Sequence, residues 1–92
     1  MQIKEGYLLR EIDGEYVIVP TGQNVMNFNA FMKVNKTGQF IIDLLQHRNM
    51  THNEILAELM CRFEAAEEER QQLSEDLYDF LQEVDRAGLL EA

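Results

Sequence analysis

The sequence predicts an α+β domain in which a three-stranded antiparallel sheet precedes three helices, a winged helix-turn-helix-like arrangement with its sheet at the front. Three observations lead there. Two β-prone runs flank Asp13-Gly14, Thr51 and Glu54 have capping-box spacing, and Leu73, Leu77, Phe80, Leu81 and Val84 recur at helical intervals. A short antiparallel sheet must cover its apolar face, and the helices are its available partner.

Taken in order, Tyr7–Ile12 and Glu15–Val19 form the hairpin, because a type I′ turn needs positive φ at both central residues and Asp-Gly supplies them. Pro20 and Gly22 end the second strand. The Asn-rich stretch from Thr21 to Asn29 reads as a loop. Residues Ala30 to Val34 form the third strand, with Met32 and Val34 on one face and Phe31 and Lys33 on the other. Asn35 is the N-cap of a first helix with Phe40, Ile41, Leu44 and Leu45 inward, ending near His47-Arg48-Asn49. Thr51 opens a second helix with Ile55, Leu56, Leu59 and Phe63 inward. The third helix runs from about Ala66 to Ala87, Gly88 follows as a C′ glycine, and Leu89 and Leu90 fold back on the core.

Composition narrows the function. Ninety-two residues, 46% of them hydrophobic, make a single domain over 1–92 with one modest core. No run of about 20 apolar residues is present, so no membrane span is expected. The N-terminus lacks a signal-peptide pattern and Cys61 is the only cysteine; both fit a cytoplasmic protein. The net charge of −9 is confined to one half: residues 1–52 carry five acids and five bases, residues 53–92 twelve acids and three bases.

No enzyme, cofactor or metal site is expected. His47, His52 and Cys61 have no zinc-ligand spacing, and Ser74 lies mid-helix among acids with no base in view. Gly38 stands alone in Thr37-Gly38-Gln39, so no phosphate-cradling loop exists, and the glycine reads as a close-packing position. Nucleic acid is not an expected partner either. The third helix, which would enter a DNA groove in a winged-helix protein, carries nine acids and two bases between Glu64 and Ala87.

A peptide is a better fit. The third strand has an outer edge whose backbone groups could take an extended peptide as an added strand. The expected groove lies between this strand (Phe31, Met32, Lys33, Val34) and the third helix. On a helical wheel Leu77 sits in the centre of the apolar stripe, and Arg70, Ser74, Tyr78 and Leu81 lie along the flank expected to line the groove. Lys33 and Arg70 are expected to meet acidic ligand residues. The alternative is an adaptor that pairs edge-to-edge with itself, or docks on an enzyme through its acidic helix; monomer and dimer both remain open.

The run from Phe28 to Leu45 (FNAFMKVNKTGQFIIDLL), followed by Thr51-x-x-Glu54-Ile55, Phe63, Asp76-Leu77-x-x-Phe80-Leu81 and Ala87-Gly88-Leu89-Leu90, resembles the pyrroloquinoline quinone biosynthesis protein D family over nearly the whole chain. The resemblance implies a peptide recognition element. Such proteins hold the leader segment of a ribosomally made precursor peptide, added as a strand beside the third strand and against the third helix, and present the precursor to a modifying enzyme, often a radical S-adenosylmethionine enzyme. Two departures stand out: Val34 replaces a common leucine, and Gln46-His47-Arg48-Asn49 replaces a frequent Asp-Gly. The same module serves many peptide pathways, so the resemblance implies leader binding in general rather than the pyrroloquinoline quinone precursor in particular.

Overall fold

The computed structural model describes residues 1–22 and 32–91. In chain order it contains β1 (Gln2–Ile3), β2 (Tyr7–Ile12), β3 (Glu15–Pro20), β4 (Met32–Val34), α1 (Lys36–His47), α2 (His52–Arg62), a 3-10 turn over Glu67–Glu69, α3 (Arg70–Arg86) and β5 (Leu90–Glu91). The three expected strands are β2, β3 and β4, and they form an antiparallel sheet in that order. Of the expected third strand, Ala30 and Phe31 lie outside the described residues, as does most of the expected loop before it.

The hairpin closes at Asp13 (φ 52°) and Gly14 (φ 80°), the two positive φ values that a type I′ turn requires. Pairing Leu9 with Ile18 and Ile18 with Met32 sets the inner face of the sheet, with Tyr16 and Val34 alongside. Ile18 is wholly buried there, in one core cluster with Ile42, Leu45, Ile55, Leu59, Leu77 and Val84 from all three helices.

The helix starts follow local chemistry. Asn35 Oδ1 accepts the Gly38 N–H at 2.8 Å and caps α1. At α2, Thr51 Oγ1 accepts from the Glu54 N–H at 3.2 Å, while the Glu54 carboxylate accepts from the Thr51 N–H at 2.9 Å. The bond from the Thr51 backbone holds the Glu54 pKa below its ordinary value. A carboxylate with a lowered folded pKa stabilises the fold above its unfolded pKa, and that contribution is lost as pH falls through the folded value. Thr51→Ala, which removes the hydroxyl that accepts the Glu54 N–H, should cost about 1 kcal/mol at neutral pH. Glu54→Gln should flatten the acid limb of a melting-temperature–pH profile; an unchanged limb would assign the acid sensitivity elsewhere.

Three elements depart from the sequence expectation. The third helix begins at Arg70, because the Glu69 carboxylate accepts the Ala66 N–H at 3.0 Å and tightens residues 67–69 into a 3-10 turn. Phe63 is not inward but 45% exposed: α2 ends at Arg62, and at φ −102° and ψ 8° Phe63 leaves the helical path that would carry it to the core. Its ring instead meets Phe40 edge-on at 5.9 Å, with the Arg62 guanidinium 5.9 Å from both ring centres. Third, β1 and β5 pair antiparallel, Gln2 with Glu91 and Ile3 with Leu90, joining the two ends of the chain. Lys4 N–H extends this ladder to the Leu89 carbonyl at 2.9 Å. Gly88 follows α3 at φ 79° and turns the chain so that Leu89 is fully buried, as expected. Among the described residues no helix is long and apolar enough to cross a membrane.

Candidate functional site

The parity of the sheet decides which backbone groups of β4 are free. Thr21 N–H bonds to the Gly6 carbonyl at 2.7 Å, which continues the pairing of Leu8 with Val19 and Arg10 with Val17 by one further step of two residues. In an antiparallel ladder bonded pairs alternate with non-bonded ones. Val17 and Val19 therefore spend their backbone groups on β2, and Tyr16 and Ile18 turn theirs to β4. Their partners are Val34 and Met32. Lys33, the residue between, directs its N–H and C=O away from β3, to the side where no described strand lies. The Lys33 side chain stands on the outer face of the sheet and meets Glu15 at 3.2 Å; both are largely exposed.

Gly38 brings this edge against α3. A Cβ placed at Gly38 would lie 2.9 Å from Phe80 Cε1, 3.0 Å from Phe80 Cζ and 3.1 Å from Val34 Cβ. The missing side chain thus lets β4, the first turn of α1 and α3 converge on one point. The sequence identified Gly38 as a close-packing position; the structure shows that its neighbours are Phe80 and Val34. Between Asn35, Gly38, Leu73, Asp76 and Phe80 lies a cleft of about 270 Å³ with Ile41, Leu59 and Leu77 in its floor. Its walls are apolar apart from Asn35, Thr37 and Asp76, and the Asp76 carboxylate accepts from Gln72 Nε2 at 3.0 Å.

The flank of α3 expected to face this strand does not do so. Ser74, Tyr78 and Leu81 line a different groove, on the far side of α3, with Met1, His52 and Leu90. Ser74 Oγ lies 3.0 Å from His52 Nε2, at the start of α2. Arg70 also turns that way and pairs with Glu67 at 2.9 Å. Leu77 is 2% exposed and Leu81 5%, so both belong to the core, whereas Tyr78 is 57% exposed. The residues of α3 that line the cleft at Gly38 are Leu73, Asp76, Leu77 and Phe80, and Phe80 is the one that meets Gly38 beside Val34. A helical wheel has two flanks beside its apolar stripe, and periodicity does not say which one meets the sheet. The close approach required at Gly38 is the sequence signal that could have found Phe80.

A second depression of about 490 Å³ lies at the Val34 end of β4, between Tyr16, Lys33 and Lys36. Glu11 hydrogen-bonds to the Tyr16 hydroxyl across the hairpin, and this bond together with the negative charge lifts the phenol pKa above its ordinary value. Among the described residues no three His, Cys, Asp or Glu side chains converge as metal ligands.

Residues 15–90 match the family model described as Coenzyme PQQ synthesis protein D (PqqD). No curated protein matches the chain. Among solved structures, the fold is similar to that of TbiB1 in complex with the TbiA(beta) leader peptide. The TM-score is 0.74 at 23% identity, covering 100% of this chain and 96% of that one.

Proposed function

The chain belongs to the coenzyme PQQ synthesis protein D family, and on that premise we propose that it is a non-catalytic peptide chaperone that binds the leader segment of a ribosomally made precursor by strand addition along β4. The observation that carries this reading is the outward N–H and C=O of Lys33 beside the Gly38–Phe80 cleft. An extended peptide there would bond to Lys33 through its backbone and set alternate side chains against Leu73 and Phe80. Each backbone bond contributes roughly 0.5–1.5 kcal/mol net, and each buried apolar side chain ~1.5–3 kcal/mol. After the cost of ordering a flexible peptide, about micromolar affinity remains, weak enough for release to a modifying enzyme.

The site so proposed comprises Met32, Lys33 and Val34 with Leu73, Asp76 and Phe80; Phe31 lies outside the described residues, and Leu77 supports the cleft from the core. Radical S-adenosylmethionine enzymes are a fitting class of modifying partner, and the cytoplasm, where precursors are made, the fitting compartment. TbiB1, solved with a leader peptide, has the same fold and lends the reading support.

The test is a backbone-amide NMR titration with leader peptides of precursors encoded beside this gene. Shifts should centre on Met32–Val34 and Leu73–Phe80, and affinity should fall as salt rises if Lys33 meets an acidic leader residue. Several such leaders that leave every amide unmoved would remove the chaperone reading.

A further inference from the structure

A groove larger than the cleft beside β4 is also present among the described residues. It lies behind α3, between that helix, the start of α2 and the paired chain ends, and encloses about 780 Å³. Leu81 and Leu90 form an apolar floor, and Tyr78, 57% exposed, stands over it with its ring largely in solvent. Glu75, Asp79 and Asp85 rim the groove. None of the three forms an ion pair among the described residues. The Met1 ammonium, at one end, already donates to Asn49 Oδ1 at 2.7 Å and to the Met50 carbonyl at 2.9 Å. Those acceptors are neutral, so the ammonium's single positive charge remains and offsets only part of the three carboxylates around the apolar floor.

We propose that this groove docks an amphipathic helix of a second protein, with an apolar face and lysine or arginine along its margins. Charge complementarity selects a basic partner: three unpaired carboxylates around a desolvating surface favour cations and repel an acidic segment. Spacing selects a helix. Ser74, Tyr78, Leu81 and Asp85 follow one another at four, three and four residues, the interval at which one helix presents a seam to another. From Ser74 to Asp85 the seam runs about 17 Å at 1.5 Å per residue, long enough for three turns of a partner. Because the groove and the β4 cleft flank opposite sides of α3, a client peptide and this partner can be held together. The docking surface does not depend on β4 taking a leader, so a failed leader titration leaves it standing.

The test titrates the labelled full chain with a peptide of leucine and lysine in heptad order, and with its leucine–glutamate counterpart. The basic peptide should shift amides of Ser74–Asp85 and Leu90, while the acidic one should not bind. Glu75→Lys with Asp79→Lys, and separately Tyr78→Ala, should each weaken the basic peptide at least tenfold; all three side chains are exposed, so these variants should fold. Glu68→Lys, a charge reversal outside the groove, should change affinity less than twofold. Equal weakening by Glu68→Lys, equal binding of the acidic peptide, or absence of shifts along Ser74–Asp85 would each overturn the proposal.

Discussion

Lys33→Pro should leave the domain folded and weaken leader binding at least tenfold, whereas Met32→Pro, one residue away, should damage the fold. The asymmetry follows from the ladder. Lys33 turns its N–H to the open edge, so proline removes a donor that the sheet does not use, and an edge strand tolerates it. The Pro ring would also intrude where an added strand must approach. Met32 pairs with Ile18, which is wholly buried. Proline at Met32 would strand an Ile18 carbonyl without its partner, a cost of about 1–3 kcal/mol before any disturbance of packing. Thermal melts and peptide titrations on both variants separate the two effects. A folded Lys33→Pro protein with unchanged affinity would rule out strand addition at β4.

Leu77→Ala and Phe80→Ala should divide along a second line. Leu77 is 2% exposed and packs in the common core, so its truncation should cost ~2–5 kcal/mol. Small domains hold only about 5–15 kcal/mol in total, and each kcal/mol shifts the melting temperature of a domain this size by roughly 4–8 °C. The fraction that remains folded should bind its ligand with little change. Phe80 is only partly buried, and its ring covers Gly38 at the cleft. Phe80→Ala should be the milder variant in denaturant and the more severe in affinity, with a loss of tenfold or more. Should Leu77→Ala lose affinity while keeping its stability, the line between core and cleft would be drawn in the wrong place.

Both contrasts turn on neighbours in α3 or β4 whose hydrogen-bonding or packing partners the sequence does not display. Met32 and Lys33 are adjacent, and which of them bonds to β3 depends on a register carried from the Asp13-Gly14 turn through β3. Leu77 and Phe80 belong to one apolar stripe, and only the approach of Gly38 singles out Phe80. The same limit sent the expected groove to the flank of Ser74 and Tyr78. Those residues are amphipathic enough to line a site, and the structure places them behind α3 instead.

What the sequence determined by itself is what short-range chemistry dictates. The hairpin turn, the Asn35 cap, the Thr51–Glu54 capping box, the Gly88 exit and the order of strands and helices all depend on residues within a few positions of one another. The sequence also localised the negative charge to the second half of the chain. Tertiary structure alone decided the pairing of β1 with β5, since two-residue strands nearly ninety positions apart leave no periodic trace. It decided the exposure of Phe63, where the helix ends one residue before its apolar spacing does. And it decided which side of α3 faces β4, because a helix fixes the angles between its side chains but not its rotation against a sheet; that rotation is set by packing, here by the space left at Gly38.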